Sequence, residues 1–148
     1  MLNLLSMLNQ LHLTLFPALY KMVEKMATPF KSSWETSVAK YLSKNSVKYE
    51  YEPMSFYLNH RLRYTPDFLL ELWHGPRRII IEPHGIMDSG DFQKFSLFRE
   101  VYGKDYSLIL LVRNDDIPSV PEAAYDDIWP IEYAELLVKK LRADHHAA

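Results

Sequence analysis

The chain has 148 residues, 48% of them hydrophobic and 14% aromatic, with a formal net charge of −2 and no cysteine. That composition excludes a disordered chain and supports one domain with its own core. It also excludes disulfides and thiolate metal sites. Nor does the chain have an overall basic field to hold nucleic acid, so such a partner must be met by a local patch or through bound metal ions.

Residues 1–30 read as an N-terminal helical extension, residues 31–142 as the main domain and 143–148 as a flexible tail. The opening "MLNLLSMLNQLHLTLFPALYKMVEKM" is apolar but has no basic stretch ahead of it and no small-residue cleavage site after it. Asn3, Asn9, Gln10, His12 and Pro17 interrupt it before the roughly 18–20 apolar residues a bilayer crossing needs. No membrane span is expected. The segment is expected to pack on the domain or on a second subunit, which keeps a homodimer open. The absence of cysteine fits a reducing compartment, and a cytoplasmic location is expected.

"SSWETSVAKYLSKN" opens with Ser32-x-x-Glu35, the capping-box pattern, and carries Trp34, Val38, Tyr41 and Leu42 at helical spacing. A helix is expected over 33–45. "VKYEYE" alternates with period two and reads as a strand. "SFYLNHRLRY" reads as a short strand followed by a basic connection. Residues 67–73 and 77–82 form two strands about the turn signal "HGP". "SGDFQKFSLFREVYG" is an amphipathic helix with Phe92, Phe95, Phe98 and Val101 as its buried stripe and Gly103 as its cap. "YSLILLV" is continuously apolar, as a strand buried on both faces is, and its place after a helix predicts a crossover to a parallel neighbour. "RNDDIPSVPEAAYDDIWP" reads as a loop with at most one helical turn, and "IEYAELLVKKLRA" as a closing helix. The whole is an α/β fold, a mixed central sheet flanked by helices.

The two strands about the turn set up the candidate site. If they are antiparallel with paired numbers summing to 149, Asp67 faces Glu82, Leu69 faces Ile80 and Glu71 faces Arg78 in a favourable charge pair. A slip of one residue would send Asp67 and Glu82 to opposite faces. Glu82 precedes Pro83 and is therefore biased toward extended backbone, which carries His84 to the same side. Two carboxylates on neighbouring strands repel. Either one is held protonated, or a divalent cation lies between them, and oxygen donors favour Mg²⁺ or Mn²⁺.

"T-P-D-F" opening one strand and "I-I-I-E-P-H" closing the next resemble the PD-(D/E)XK, or restriction-endonuclease-like, nuclease superfamily. The order of elements over 32–112 resembles it too: a helix with an acid, the strand pair, then a helix and a strand. The resemblance implies an αβββαβ core behind the N-terminal helical segment and a metal-dependent DNA endonuclease similar to resolvase, repair or transposon enzymes. It implies Glu35, Asp67 and Glu82 as metal-binding acids with the Pro83 carbonyl as a further ligand, DNA as partner and no organic cofactor. Glu35 also has the capping role open to it.

His84 departs from the pattern, which has lysine there. Histidine can take a proton from water or ligate a metal. Alternatively the cation comes from Lys94 on the following helix, or the site is inactive and the chain is a DNA- or protein-binding relative. Basic groups that suit a DNA backbone are His60, Arg61, Arg63, Arg77 and Arg78, with Tyr57 and Tyr64 placed to stack on bases.

Overall fold

The computed structural model describes residues 29–147. The chain divides into two compact units, 1–36 and 37–148, with the boundary falling inside the first described helix. The extension expected over 1–30, with its packing and dimer role, lies outside the described residues apart from its last two.

That first helix, α1 (Ser33–Lys44), buries Val38 and Leu42 of the four positions its apolar spacing selects, and Ala39 as well, while Trp34 and Tyr41 are half-buried. Its start is fixed by Ser32, whose hydroxyl accepts the Glu35 N–H at 3.2 Å. In the second unit follow β1 (Tyr49–Tyr51), β2 (Phe56–Tyr57), β3 (Arg63–Tyr64), β4 (Phe68–His74), β5 (Arg77–Pro83), α2 (Ser89–Tyr102), β6 (Tyr106–Val112), β7 (Asp127–Pro130) and α3 (Ala134–Ala147). Five strands form one mixed sheet in the order β1-β4-β5-β6-β7, and β2 and β3 form a separate ribbon. The first three strands of the sheet pair antiparallel, and β5, β6 and β7 run parallel. The expected crossover is there: α2 carries the chain from β5 to its parallel neighbour β6.

Side-chain alternation divides the sheet's two faces. Leu69, Ile80, Leu108 and Leu110 pack with Phe95 and Phe98 of α2. Phe68, Leu70, Leu72, Ile79, Ile81, Ile109 and Leu111 are buried on the opposite parity, and α3 packs against β4 and β7. The β2–β3 ribbon closes the edge of the first core, with Phe56 edge-on to Phe98, Tyr102 and Tyr106.

The strand pair keeps its expected register only at one end. Phe68 pairs with Ile81 and Leu69 with Ile80, but farther along Trp73 pairs with Arg78 and His74 with Arg77. A bulge between Leu69 and Trp73 takes up the difference. The expected Glu71–Arg78 pair therefore does not form. Arg78 instead gives its Nε–H to Leu70 O at 2.7 Å and lies against Trp73.

Three other expectations are corrected. Val101 is 48% exposed, so the α2 stripe is carried by Phe95 and Phe98. The stretch expected as a loop contains two 3-10 turns and the strand β7. Residues 143–147, expected as tail, continue α3, where Lys140 pairs with Asp144 one turn on. Among the described residues no helix is long and apolar enough to cross a membrane.

Candidate active site

Asp67 ends the connection from β3, and Glu82 lies one residue before the end of β5. The retained register brings them together, and both are buried, at 9% and 5% exposure. Backbone bonds hold Asp67 on both sides. Its N–H donates to Glu82 Oε2 at 3.0 Å, and its carbonyl accepts the Glu52 N–H at 2.9 Å beyond the end of β1. Glu82 Oε2 accepts a second bond, from the Tyr64 hydroxyl at 2.7 Å. The Asp67 carboxyl is a further hydrogen-bonding neighbour of Glu82.

Burial pushes the Glu82 carboxyl up from 4.5 to about 7, although the Tyr64 hydroxyl, the Asp67 N–H and the charge of Lys94 all favour its ionised form. Burial, and then the charge of Glu82, raise the Tyr64 phenol well above its ordinary value. Two acids thus share one dry place with a hydroxyl that stays protonated. This electrostatic position is the one a bound cation would relieve.

A cationic side forms at the start of α2. Asp88 caps that helix in a reciprocal box with Asp91: each carboxylate accepts the other's N–H, at 2.9 and 3.0 Å. Asp91 then reaches two more groups. His84 Nε2 is 3.2 Å from its Oδ2, and Lys94 Nζ is 3.6 Å from its Oδ1. Against partial burial, the Asp88 N–H and the charges of His84 and Lys94 hold the Asp91 carboxyl below its ordinary value. Lys94 Nζ also lies 5.8 Å from the Tyr64 ring and 5.0 Å from that of Phe95. His84 meets Phe95 edge-on at 5.7 Å, and its N–H extends the β6 pairing by one bond to Leu111 O. Asp67, Glu82, His84 and Lys94 are therefore gathered at one end of the β4–β5 pair, with Tyr64 beneath them.

Residues 18–118 match the family described as Phage endonuclease I. The chain belongs to the phage endonuclease I family. It is 39% identical over 121 residues to Endodeoxyribonuclease 1 of Enterobacteria phage T3, across 76% of this chain and 72% of that protein. It is 40% identical over 79 residues to Endonuclease I of Escherichia phage T7, across 48% of this chain and 46% of that one. The family match takes in every residue of the cluster just described, from Tyr64 to Lys94.

The other sequence candidates of this phage endonuclease I family member are found as follows. Glu35 is buried in the first compact unit, where its Oε2 accepts the Lys31 N–H at 2.9 Å. Arg77 and Arg78 stand at the start of β5, the opposite end from Glu82. Arg77 pairs with Asp126 at 2.6 Å, and Arg78 pairs with Glu50 at 3.4 Å. Both thus have partners within the fold, at the end of the strand away from the acids. Tyr64 was expected to stack on bases, but at 1% exposure between Phe95 and Phe98 it has no face to offer. Arg61 and Arg63 are exposed on the ribbon, whose loop is turned by Asn59 Oδ1 accepting the N–H groups of Arg61 and Leu62. Arg63 lies 5.9 Å from the ring of Tyr57, which is 65% exposed.

Of the cluster's residues, the sequence pointed to Tyr64 only as a base-stacking group and did not point to Asp91. Tyr64 stands three positions before Asp67, and Asp91 three after Asp88. The second spacing is a capping signal that was readable at the head of an amphipathic run. The first has no local signature, because the bond it makes spans 18 residues of chain.

Proposed function

We propose that this member of the phage endonuclease I family is a divalent-metal-dependent DNA endonuclease of the PD-(D/E)XK type, with His84 in the position of the motif lysine. One observation carries the reading: two buried carboxyls, Asp67 and Glu82, meet at adjoining strand ends with a lysine beside them. Their hard oxygen donors fit Mg²⁺ or Mn²⁺, with Asp67, Glu82 and the Pro83 carbonyl as the ligands. Among the described residues no group of three or more acidic or histidine side chains is gathered for a metal, so water and phosphate oxygens would complete the set. Glu35 is the helix acid of the motif, and its contribution is tested by Glu35→Gln.

When bound, the metal supplies charge neutralisation at the phosphate and a more acidic water. The chain's own groups do the rest. Glu82 is held at Oε2 by Tyr64 and Asp67, so its carboxylate cannot swing away. Lys94 brings a positive charge toward the phosphate from α2, in place of the lysine absent at 84. His84, fixed at Nε2 by Asp91, orients the attacking water or receives its proton. Arg61 and Arg63, with Tyr57, meet the DNA backbone from the exposed ribbon, which fixes position without reading sequence.

The deciding experiment is cleavage of supercoiled plasmid and single-stranded DNA with Mg²⁺, Mn²⁺ or EDTA, beside Glu82→Ala purified identically. Metal-dependent cleavage at least about 100-fold weaker in the variant is expected, since even outer partners of metal ligands cost 10–100-fold. Equal cleavage by parent and variant would overturn the reading. The histidine at 84 favours one second reading, a relative that binds DNA without cutting it. Binding of branched DNA with no cleavage under either metal would select that one.

A further inference from the structure

We propose that Tyr64 is a positioning residue for the metal-binding carboxylate: its hydroxyl, together with the Asp67 N–H, saturates Glu82 Oε2 and fixes the plane in which the carboxyl faces the cation. The inference rests on the metal-site reading above and adds to it a residue outside the PD-(D/E)XK motif.

The geometry is specific. Tyr64 and Asp67 are three residues apart on one connecting segment, and both grip the same oxygen, at 2.7 and 3.0 Å. A carboxylate oxygen that already accepts two short bonds has little capacity left for a cation. That assigns the cation to the other oxygen and removes the rotational freedom the Glu82 side chain otherwise has. Tyr64 is itself immobile. Its ring is locked edge-on to Phe95 at 5.5 Å and to Phe98 at 4.9 Å. The ring also lies against Lys94, so one side chain holds the acid through its hydroxyl and meets the lysine with its ring. Outer groups that fix a ligand's orientation commonly govern metal affinity by 10–100-fold. A tyrosine buried only for packing would instead leave metal affinity unchanged when its hydroxyl is removed.

Tyr64→Phe keeps the ring and its contacts and deletes the bond. Mn²⁺ binding to the full chain, measured by calorimetry without DNA, is expected to weaken by about 10-fold or more. The half-saturating Mn²⁺ for plasmid cleavage should rise in step, with the rate at saturating metal within about threefold of the parent. Unchanged Mn²⁺ affinity in a folded variant would overturn the proposal, as would a rate loss that saturating metal does not restore. As a second arm independent of that variant's stability, 3-fluorotyrosine placed at 64 should show a ¹⁹F resonance that moves on titration with Mg²⁺. A resonance that stays fixed while Mg²⁺ binds would also overturn it. Glu82→Gln separates the two levels. If it loses Mn²⁺ binding while Tyr64→Phe does not, the positioning role alone falls. If it retains Mn²⁺ binding, the metal-site reading falls first.

Discussion

The β4–β5 pair carries charge at both ends, and the two ends differ in how that charge is met. At the far end Arg77 and Arg99 both reach Asp126 Oδ1, at 2.6 and 2.9 Å, while its Oδ2 accepts the Leu108 N–H at 2.8 Å. Each sign there has its opposite, and the Asp126 carboxyl, despite its burial, is held below its ordinary value by those partners. At the near end two acids meet, and burial wins over every favourable contact to lift Glu82 to about 7. Charge satisfied within the protein ties elements together. Acids gathered where burial opposes their ionisation are a place a cation from outside can meet. The near end is accordingly read as chemistry and the far end as structure.

The largest test of that division compares two cations. Lys94→Met, at the near end, should slow cleavage by roughly 100-fold, the scale of one lost electrostatic contact to a reacting group. Arg78→Met, at the far end, should leave the rate of the folded protein within about threefold. Equal losses in single-turnover assays would dissolve the distinction.

Stability should divide the opposite way. Asp126→Asn keeps the shape but removes the charge that Arg77 and Arg99 share, and should cost about 1–3 kcal/mol in chemical denaturation with cleavage unchanged. Undiminished stability would show that the far end is not a structural tie.

The smallest effect concerns pH. Burial raises Glu82 above its ordinary value, so its contribution to stability is whole below about pH 4.5 and is lost as the pH rises through about 7. Glu82→Gln cannot ionise. In EDTA it should melt near the parent at about pH 5 and above it at about pH 8, by the equivalent of about 1–2 kcal/mol. A variant less stable than the parent at the higher pH would mean that the ionised acid is already compensated within the chain.

How far these ends were legible in the sequence follows from the range of the forces involved. The Asp67–Glu82 alignment was readable, because pleat and register carry it from Leu69 and Ile80, and the parallel placement of β6 followed from a helix leading into a wholly apolar run. The far end was not. A bulge is set by how the two strands twist and pack, and it displaced Arg78 from Glu71 to Trp73. β7 was missed because only four residues form it, Asp127 to Pro130, too few for a period to show. Tyr64 sat in a sequence context of arginines and read as a DNA contact, whereas Phe95 and Phe98 draw its ring into the core.

The bulge between Leu69 and Trp73 has an evolutionary consequence. It takes up slack between the turn and the acids, while β5 is held in step with β6 from Arg78 to Pro83. A residue gained or lost at the turn can be absorbed there before it reaches Asp67. The hairpin can therefore change in length at its turn, and a lineage can do so without retiming the pair of acids at the other end.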